Sequence, residues 1–244
     1  MKKFFVAMAF ALPLVFTSCE KSEEPIVLPE GMSINVYETG DLEVAGNWTS
    51  SNEFVATVDK KGKVTTHHVG EAVLTLVDGT QTTSCTITVN PVNTSYTFPS
   101  FAWGSDVNAV KNYCSTLTLL EEVSDEEGGW ILSYLTGSEF PGYIYYIPVE
   151  GLAATSIVVD INDSDNWEAF MYQYFADIEE DEEWYYLING NTIADATIAV
   201  QYGWNDETSI IATFMPLTEE TRSGDIKDMF KKVDLKKSIL VNKK

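Results

Sequence analysis

Short alternating segments separated by turn residues fill the chain from residue 31 to residue 91. Because successive side chains of a β-strand point to opposite faces, this alternation predicts strands with one buried face. In the last segment Cys85, Ile87 and Val89 share one face, and threonines occupy the other. The spacing predicts an all-β sandwich. The predicted strands cover 33–37, 42–45, 48–50, 55–58, 63–66, 72–77 and 83–89.

The pattern changes after a proline-bracketed boundary at residues 90–99. Residues 94–221 mix strand-like segments with two helical ones and predict an α+β domain, an antiparallel sheet with two helices. The first helix is expected after Ser105. The second is expected to start at Asp165, with Glu168 completing a capping box, and to continue past Tyr174 to Ile178. The acidic run 179–183 would then form the exposed loop that ends it.

The first twenty-five residues have the layout of an export signal. Lys2 and Lys3 precede an apolar run over residues 4–16, which is too short to span a membrane, and small residues precede Cys19. The segment resembles a bacterial lipoprotein signal, which implies a signal peptide over 1–18, cleavage before Cys19 and a lipid on its thiol. An ordinary secretory signal is the alternative.

Residues 19–30 would form a lipidated tether with two prolines. The acidic stretch 20–24 resembles the tract that directs such lipoproteins to the outer cell surface in some bacteria. The expected location is therefore the outer membrane, with the protein anchored by lipid and exposed at the cell surface.

Five ordered sequence blocks resemble a bacterial group 2 immunoglobulin-like (BIG2) domain over about residues 26–90. The resemblance implies a display module without catalytic residues, assigned here to residues 31–91. Trp48 is expected to be its core tryptophan. The blocks are Trp48-Thr49-Ser50-Ser51-Asn52, Val55-Ala56-Thr57-Val58-Asp59, Gly62-Lys63-Val64-Thr65, Val69-Gly70-Glu71-Ala72 and Thr86-Ile87-Thr88-Val89.

Charge is distributed unevenly along the 244-residue chain, whose formal net charge is -22. Residues 94–221 hold 23 acidic residues and one basic residue, Lys111. This acidity argues against nucleic acid as a partner, because it repels phosphate backbones. Residues 222–244 instead form a basic, amphipathic tail with eight basic and three acidic residues. The tail is expected to dock on the acidic domain, to stay disordered or to bind anionic lipid.

No pattern predicts a cofactor or a metal site. The adjacent His67 and His68 point to opposite sides and have no third ligand nearby in sequence. The oxygen-rich stretch 160–166 could suggest calcium, but it departs from the EF-hand spacing and is better explained as a helix start. Cys85 and Cys114 are expected to be buried free thiols, with a disulfide as the alternative.

Aromatic residues are the main functional signal, since their faces stack on sugars. Trp130, Trp167, Trp184 and Trp204 are the candidate ligand-binding residues, although core packing explains many aromatics. The predicted function is a non-catalytic envelope lipoprotein that displays a recognition domain for glycan or adhesion. A structural component of an envelope protein complex is the alternative, and a glycosidase-type enzyme comes third.

Overall fold

The computed structural model describes residues 25–137, 139–231 and 233. Cys19, the predicted signal peptide and most of the basic tail lie outside these residues. The described chain forms a β-sandwich followed by a larger domain built on one antiparallel sheet. No helix in this part of the chain is long and apolar enough to cross a bilayer.

The first domain packs two sheets face to face. Its four-stranded sheet has the order β1-β7-β6-β3, with β1 and β7 parallel, and its three-stranded sheet has the order β2-β5-β4. Apolar positions of β6 and β7 alternate inward, so Cys85, Ile87 and Val89 are buried as predicted. The strands are β1 (Gly31–Asn35), β2 (Thr39–Asp41), β3 (Asn47–Ser50), β4 (Ala56–Val58), β5 (Lys63–Thr66), β6 (Gly70–Asp78) and β7 (Gln81–Asn90).

The turn between β4 and β5 shows why local sequence determined this hairpin. Gly62 has φ of 88°, a left-handed conformation that favours glycine. A Cβ atom there would lie 2.5 Å from the Val44 carbonyl oxygen, so a larger residue would also clash. The Asp59 carboxylate accepts hydrogen bonds from the Lys61 and Lys63 amides, and these bonds lower the Asp59 pKa.

Trp48 was predicted to be the core tryptophan of the sandwich, but it does not lie at the centre. It lies on β3 at the edge of the four-stranded sheet, is only partly buried, and donates from its indole nitrogen to the Val44 carbonyl oxygen at 2.9 Å. The fully buried residues between the sheets are aliphatic, among them Val64, Leu74 and Ile87. Trp48 therefore closes one edge of this core.

The second domain repeats one arrangement twice, a helix followed by four antiparallel strands. The sheet order is β12-β13-β14-β15-β11-β10-β9-β8, so the two four-stranded meanders join where β11 pairs with β15. The first repeat contains α1 (Val107–Tyr113), β8 (Thr118–Ser124), β9 (Trp130–Leu135), β10 (Gly142–Ile147) and β11 (Ala154–Asp160). The second contains α2 (Ser164–Met171), β12 (Ala176–Glu180), β13 (Trp184–Ile188), β14 (Ile198–Trp204) and β15 (Ser209–Pro216).

Strands dominate this domain, so the α+β prediction fits it only in part. The predicted second helix was too long: α2 ends at Met171, and β12 begins at Ala176. From Ala176 onward, pairing with β13 supplies backbone hydrogen bonds that compete with a longer helix and end the helical spacing that Tyr174 and Ile178 suggested. The predicted capping box also fails, since Asp163 is the N-cap residue and makes no side-chain capping bond.

A third helix, α3 (Ile226–Phe230), lies within the predicted tail. Its buried residues Ile226, Met229 and Phe230 pack against β13, β14 and Leu217. The Lys227 ammonium lies 2.7 Å from the Glu179 carboxylate and 3.7 Å from that of Asp181. The start of the tail thus docks on the acidic domain. The predicted domain boundary at residue 221 therefore lies too early, because it leaves α3 outside the domain on whose sheet it packs.

Candidate functional site

The two domains meet at the segment that follows α2. The Tyr37 hydroxyl donates to the Tyr172 carbonyl oxygen at 2.7 Å, and the Val69 amide donates to the Gln173 carbonyl oxygen at 2.7 Å. Both donors belong to the first domain and both acceptors to the second. These bonds fix the position of one domain against the other.

The Gln173 side chain also binds the linker between the domains. Its oxygen accepts hydrogen bonds from the Val92 and Asn93 amides at 2.6 and 2.8 Å, and its nitrogen donates to the Asn93 carbonyl oxygen at 2.9 Å. Gln173 has no exposed surface. Since buried polar groups need partners, this residue orders the linker and, with it, the orientation of the two domains.

A groove lies between the domains beside these contacts. Its apolar part has a volume of about 290 Å³. Phenylalanine and tyrosine rings from the second domain contact one another there, with 4.9 Å between the Phe98 and Tyr174 centroids. Residues of both domains contribute to the lining, which includes Phe54, Val55, Val69, Phe98, Phe101, Tyr174, Phe175 and Ile198.

The polar part of the groove has a volume of about 370 Å³ and shares Asn52, Phe54 and Asn189 with the apolar part. The Asn189 side chain stabilises its own turn, because its oxygen accepts from the Thr197 and Ile198 amides. Other side chains remain exposed at the rim and can bind a ligand. They are Ser51, Asn52, Glu53, Asn191 and Asp195.

A pair of stacked rings lies where the apolar and polar parts of the groove join. The Phe54 ring stacks on the His68 imidazole, with 3.8 Å between centroids and 2° between planes. Burial lowers the pKa of His68, and the contact of its Nδ1 with the Phe54 carbonyl oxygen opposes this shift. The neighbouring His67 Nε2 lies 2.8 Å from the Thr57 hydroxyl. Because its pKa is lowered, the His68 imidazole adds little positive charge to this side of the groove at neutral pH.

The four candidate tryptophans do not form one surface. Trp167 is fully buried in the core between α2 and the sheet, so its face is closed to a ligand. Trp184 packs on the opposite face of the sheet, and Trp204 lies at the end of β14 with 59% of its surface exposed. Trp130 is partly buried beside α1.

Trp130 borders a separate acidic hollow at the turn between β8 and β9, with a volume of about 370 Å³. The Lys111 ammonium lies 5.4 Å from the Trp130 ring centre and forms an ion pair with Glu122 at 2.5 Å. This cation already occupies one face of the indole. The hollow is lined by Val123, Asp125, Glu126, Glu127, Gly129, Trp130, Ile131 and Tyr146.

A polar cluster separate from the groove and the acidic hollow lies between the end of α2 and the sheet. The Tyr172 hydroxyl donates to the Asp177 carboxylate at 2.9 Å and lies 3.2 Å from the Tyr202 hydroxyl. Burial, followed by the neighbouring Asp165 and Asp177, raises the pKa of Glu168. Burial also raises the pKa of Tyr172 to about 12, so its phenol is neutral at physiological pH. This cluster is where a general acid would be sought if the protein were an enzyme.

Cysteines and metal ligands add no reactive centre to the groove. Cys85 and Cys114 are buried free thiols, as expected from the sequence, and burial raises the pKa of both. Across the ranges that the structure describes, no three histidine, cysteine, aspartate or glutamate residues are grouped closely enough to hold a metal ion. The oxygen-rich stretch instead forms a short 3-10 turn (Ile161–Asp163) directly before α2, in which the Asp160 carboxylate accepts from the Asn162 amide at 2.8 Å.

The groove was not found by sequence reasoning. Phe54 and Phe98 follow patterns typical of core residues, and the stretch 189–191 is typical of a turn. Core packing or a turn therefore accounts for each of these residues, and nothing in the local sequence indicates that they line one groove. The only available signal was that the polar linker 90–99 joins two patterned regions, and domain junctions are frequent ligand sites.

Comparison with known proteins identifies the first domain only. Residues 15–89 match the family model of the bacterial Ig-like domain (group 2). This match and the two-sheet sandwich confirm the BIG2 prediction, and the match ends before the second domain. No curated protein matches the chain.

Proposed function

We propose that the protein is a non-catalytic lipoprotein of the bacterial cell envelope that binds glycan in the groove between its two domains. The first domain acts as a spacer, as expected for a group 2 Ig-like domain, and also provides one wall of the site. The sequence led us to expect recognition by the second domain alone. We now include residues of both domains in the proposed site.

The groove carries this proposal, because its chemistry suits a sugar. Sugars offer apolar C–H faces that stack on aromatic rings and hydroxyls that exchange hydrogen bonds with amides. Rings of Phe98, Phe101 and Tyr174 border the apolar part, while Asn52 and Asn191 border the polar part.

Acidic side chains around the groove indicate which glycans it can bind. Glu53 and Asp195 lie at the rim and Glu71 lines the apolar part, so a phosphorylated or strongly acidic ligand would be repelled. His68 contributes little positive charge at neutral pH because its pKa is lowered. The proposed ligand is therefore a neutral glycan, whose binding depends little on salt.

The proposal predicts that a bulky side chain in the groove weakens glycan binding. Asn52→Trp should fill the junction of the two parts and reduce affinity for a bound glycan at least tenfold. Asn108→Trp, at an exposed position of α1, is the matched control and should bind like the wild type. The measurement is calorimetry on a soluble form starting at residue 20, using glycans selected from an array of neutral oligosaccharides.

Three results would contradict the proposal. They are the absence of any glycan ligand, unchanged affinity in Asn52→Trp, and equal loss of affinity in both variants. Binding should also persist as ionic strength rises, since a neutral ligand gains little from the acidic surface. Circular dichroism must show that each variant is folded.

The proposed anchor has its own test. Cys19→Ala should release the protein from the membrane fraction and abolish incorporation of labelled fatty acid. Cys85→Ala and Cys114→Ala are matched controls, because these cysteines are buried and should not be lipidated. Equal labelling of Cys19→Ala and the wild type would disprove lipidation at this residue.

An exposed strand edge favours the second function, assembly with an envelope protein. β8 is the outermost strand of the large sheet, and Leu119 and Leu120 on it are 45% and 38% exposed. Tyr113, at the end of α1 before this strand, is 56% exposed. Such an edge can accept a strand from a partner. Cross-linking in intact cells that captures one partner through Leu119, with no glycan bound, would favour this function.

A further inference from the structure

The large sheet of the second domain has two faces that are covered in different ways. Residues of α1 and α2 pack on one face, including Val110, Trp167 and Phe170. On the other face, α3 covers the part formed by β13 and β14, where its Phe230 ring lies 6.2 Å from the Tyr186 ring. The remaining part of this second face belongs to β15, β11, β10 and β9.

This remaining part is buried and mostly apolar, with a short polar stripe of Ser133, Ser156 and Thr213 across its middle, and we call it the central face. Its core residues are Ile131, Leu135, Ile144, Val158 and Ile211, which are between 0% and 9% exposed. Within the described ranges, the partly buried hydrophobic residues that pack against them are Phe140, Tyr146 and Trp184. All three belong to the same sheet or to its β9–β10 turn. Five apolar side chains this strongly buried on one face require a cover from outside the sheet.

We propose that the C-terminal segment 234–244 of this chain covers the central face. Helix α3 already lies on the neighbouring part of the same surface and delivers the chain to its border. The segment supplies apolar residues at Leu235, Ile239, Leu240 and Val241. It can bury them against the central face without passing around the sheet.

The segment is long enough for this path. Four strands at a spacing of about 4.8 Å make the central face roughly 19 Å wide. Eleven residues can span up to about 36 Å when fully extended. The segment therefore reaches the far side of β9 even on a diagonal path.

Charge at both borders matches this path. Lys227 of α3 pairs with Glu179 and Asp181 where the chain enters the surface. At the far border the acidic hollow contains Asp125, Glu126 and Glu127 and is also lined by Ile131 of the central face. The segment ends with Lys243 and Lys244, so its positive end meets this acidic turn. The segment then serves the domain's own core and is not available to bind anionic lipid.

The test compares the soluble protein starting at residue 20 with a form that ends at residue 233. Removing the segment should lower the melting temperature by roughly 5–10 °C and increase the fluorescence of a hydrophobic dye severalfold. Leu240→Asp should reproduce these effects, whereas Ser238→Asp, which adds the same charge at a polar position, should not. Unchanged stability and dye binding in both the truncated form and Leu240→Asp would overturn the proposal.

A second measurement does not depend on truncation. A nitroxide label on Asn242→Cys should broaden the methyl resonances of Ile131, Ile144 and Val158 but leave those of Val64 and Leu74 unaffected. The buried Cys85 and Cys114 do not react with the label in the folded state. Broadening that disappears on dilution would show that a second copy covers the face, and sharp methyl resonances throughout would show that the segment lies elsewhere. Either result overturns the proposal, as would vesicle binding that needs residues 234–244.

Discussion

Replacing Trp167 with alanine should lower the free energy of unfolding by about 3–5 kcal/mol, the cost of a large-to-small change in a core. The indole lies on α2 with no exposed surface. Its ring makes an edge contact with Tyr96 at 5.2 Å and a tilted contact with Phe170 at 5.8 Å. Alanine would leave a cavity at the point where α2 and the linker pack on the sheet. Urea denaturation followed by circular dichroism measures the loss.

Trp167→Phe is the matched control for this prediction. The indole nitrogen has no hydrogen-bond partner among the described residues, so phenylalanine removes no observed bond while it keeps most of the ring volume. We expect a clearly smaller loss than for alanine. If both variants were as stable as the wild type, packing of the Trp167 indole would not contribute to the stability of this core.

Replacing Gln173 with alanine should destabilise the protein by about 2 kcal/mol, because a fully buried side chain and its three hydrogen bonds to the linker would be lost. The affected amides belong to Val92 and Asn93 in the linker. Once this clamp is lost, we expect the two domains to unfold in separate transitions. Tryptophan fluorescence follows mainly the second domain, which contains five of the six tryptophans, and circular dichroism at strand wavelengths follows both.

Gln173→Met separates hydrogen bonding from packing, since methionine keeps the length of the side chain and removes its polar atoms. It should destabilise the protein nearly as much as alanine does. Unfolding transitions that coincide in the wild type and in both variants would contradict a role for Gln173 in joining the domains. The domains are still expected to fold alone, because the sandwich and the large sheet have separate cores.

Strands were predicted well wherever one face is buried and turn residues flank the segment. β3 and β5 lie within one residue of the predicted positions, and the hairpin at Gly62 follows from its left-handed conformation. The helix predicted to continue through Tyr174 failed because its spacing is compatible with both a helix and an edge strand. Pairing with β13 stabilises the strand from Ala176 onward. The local sequence does not show that this pairing will form.

The candidate site shows the same limit. Trp130, Trp167, Trp184 and Trp204 were selected by residue type, but the structure places them in the core, on opposite faces and at a strand end. The groove residues Asn52 and Phe98 are 46 positions apart in the chain. They meet only because Gln173 and its neighbours hold the domains together.

Local features of this protein follow from the amino-acid sequence alone: the alternation of the first domain, the turn at Gly62 and the acidity of residues 94–221. Alternation and turn chemistry act between neighbours, so they can be recognised without knowing the fold. Three other features could be seen only in the folded protein: the pairing of β11 with β15, the docking of α3 on the sheet and the groove between the domains. These features depend on contacts between residues that are far apart in the sequence. Such contacts stabilise the protein only once the chain has folded and brought the residues together.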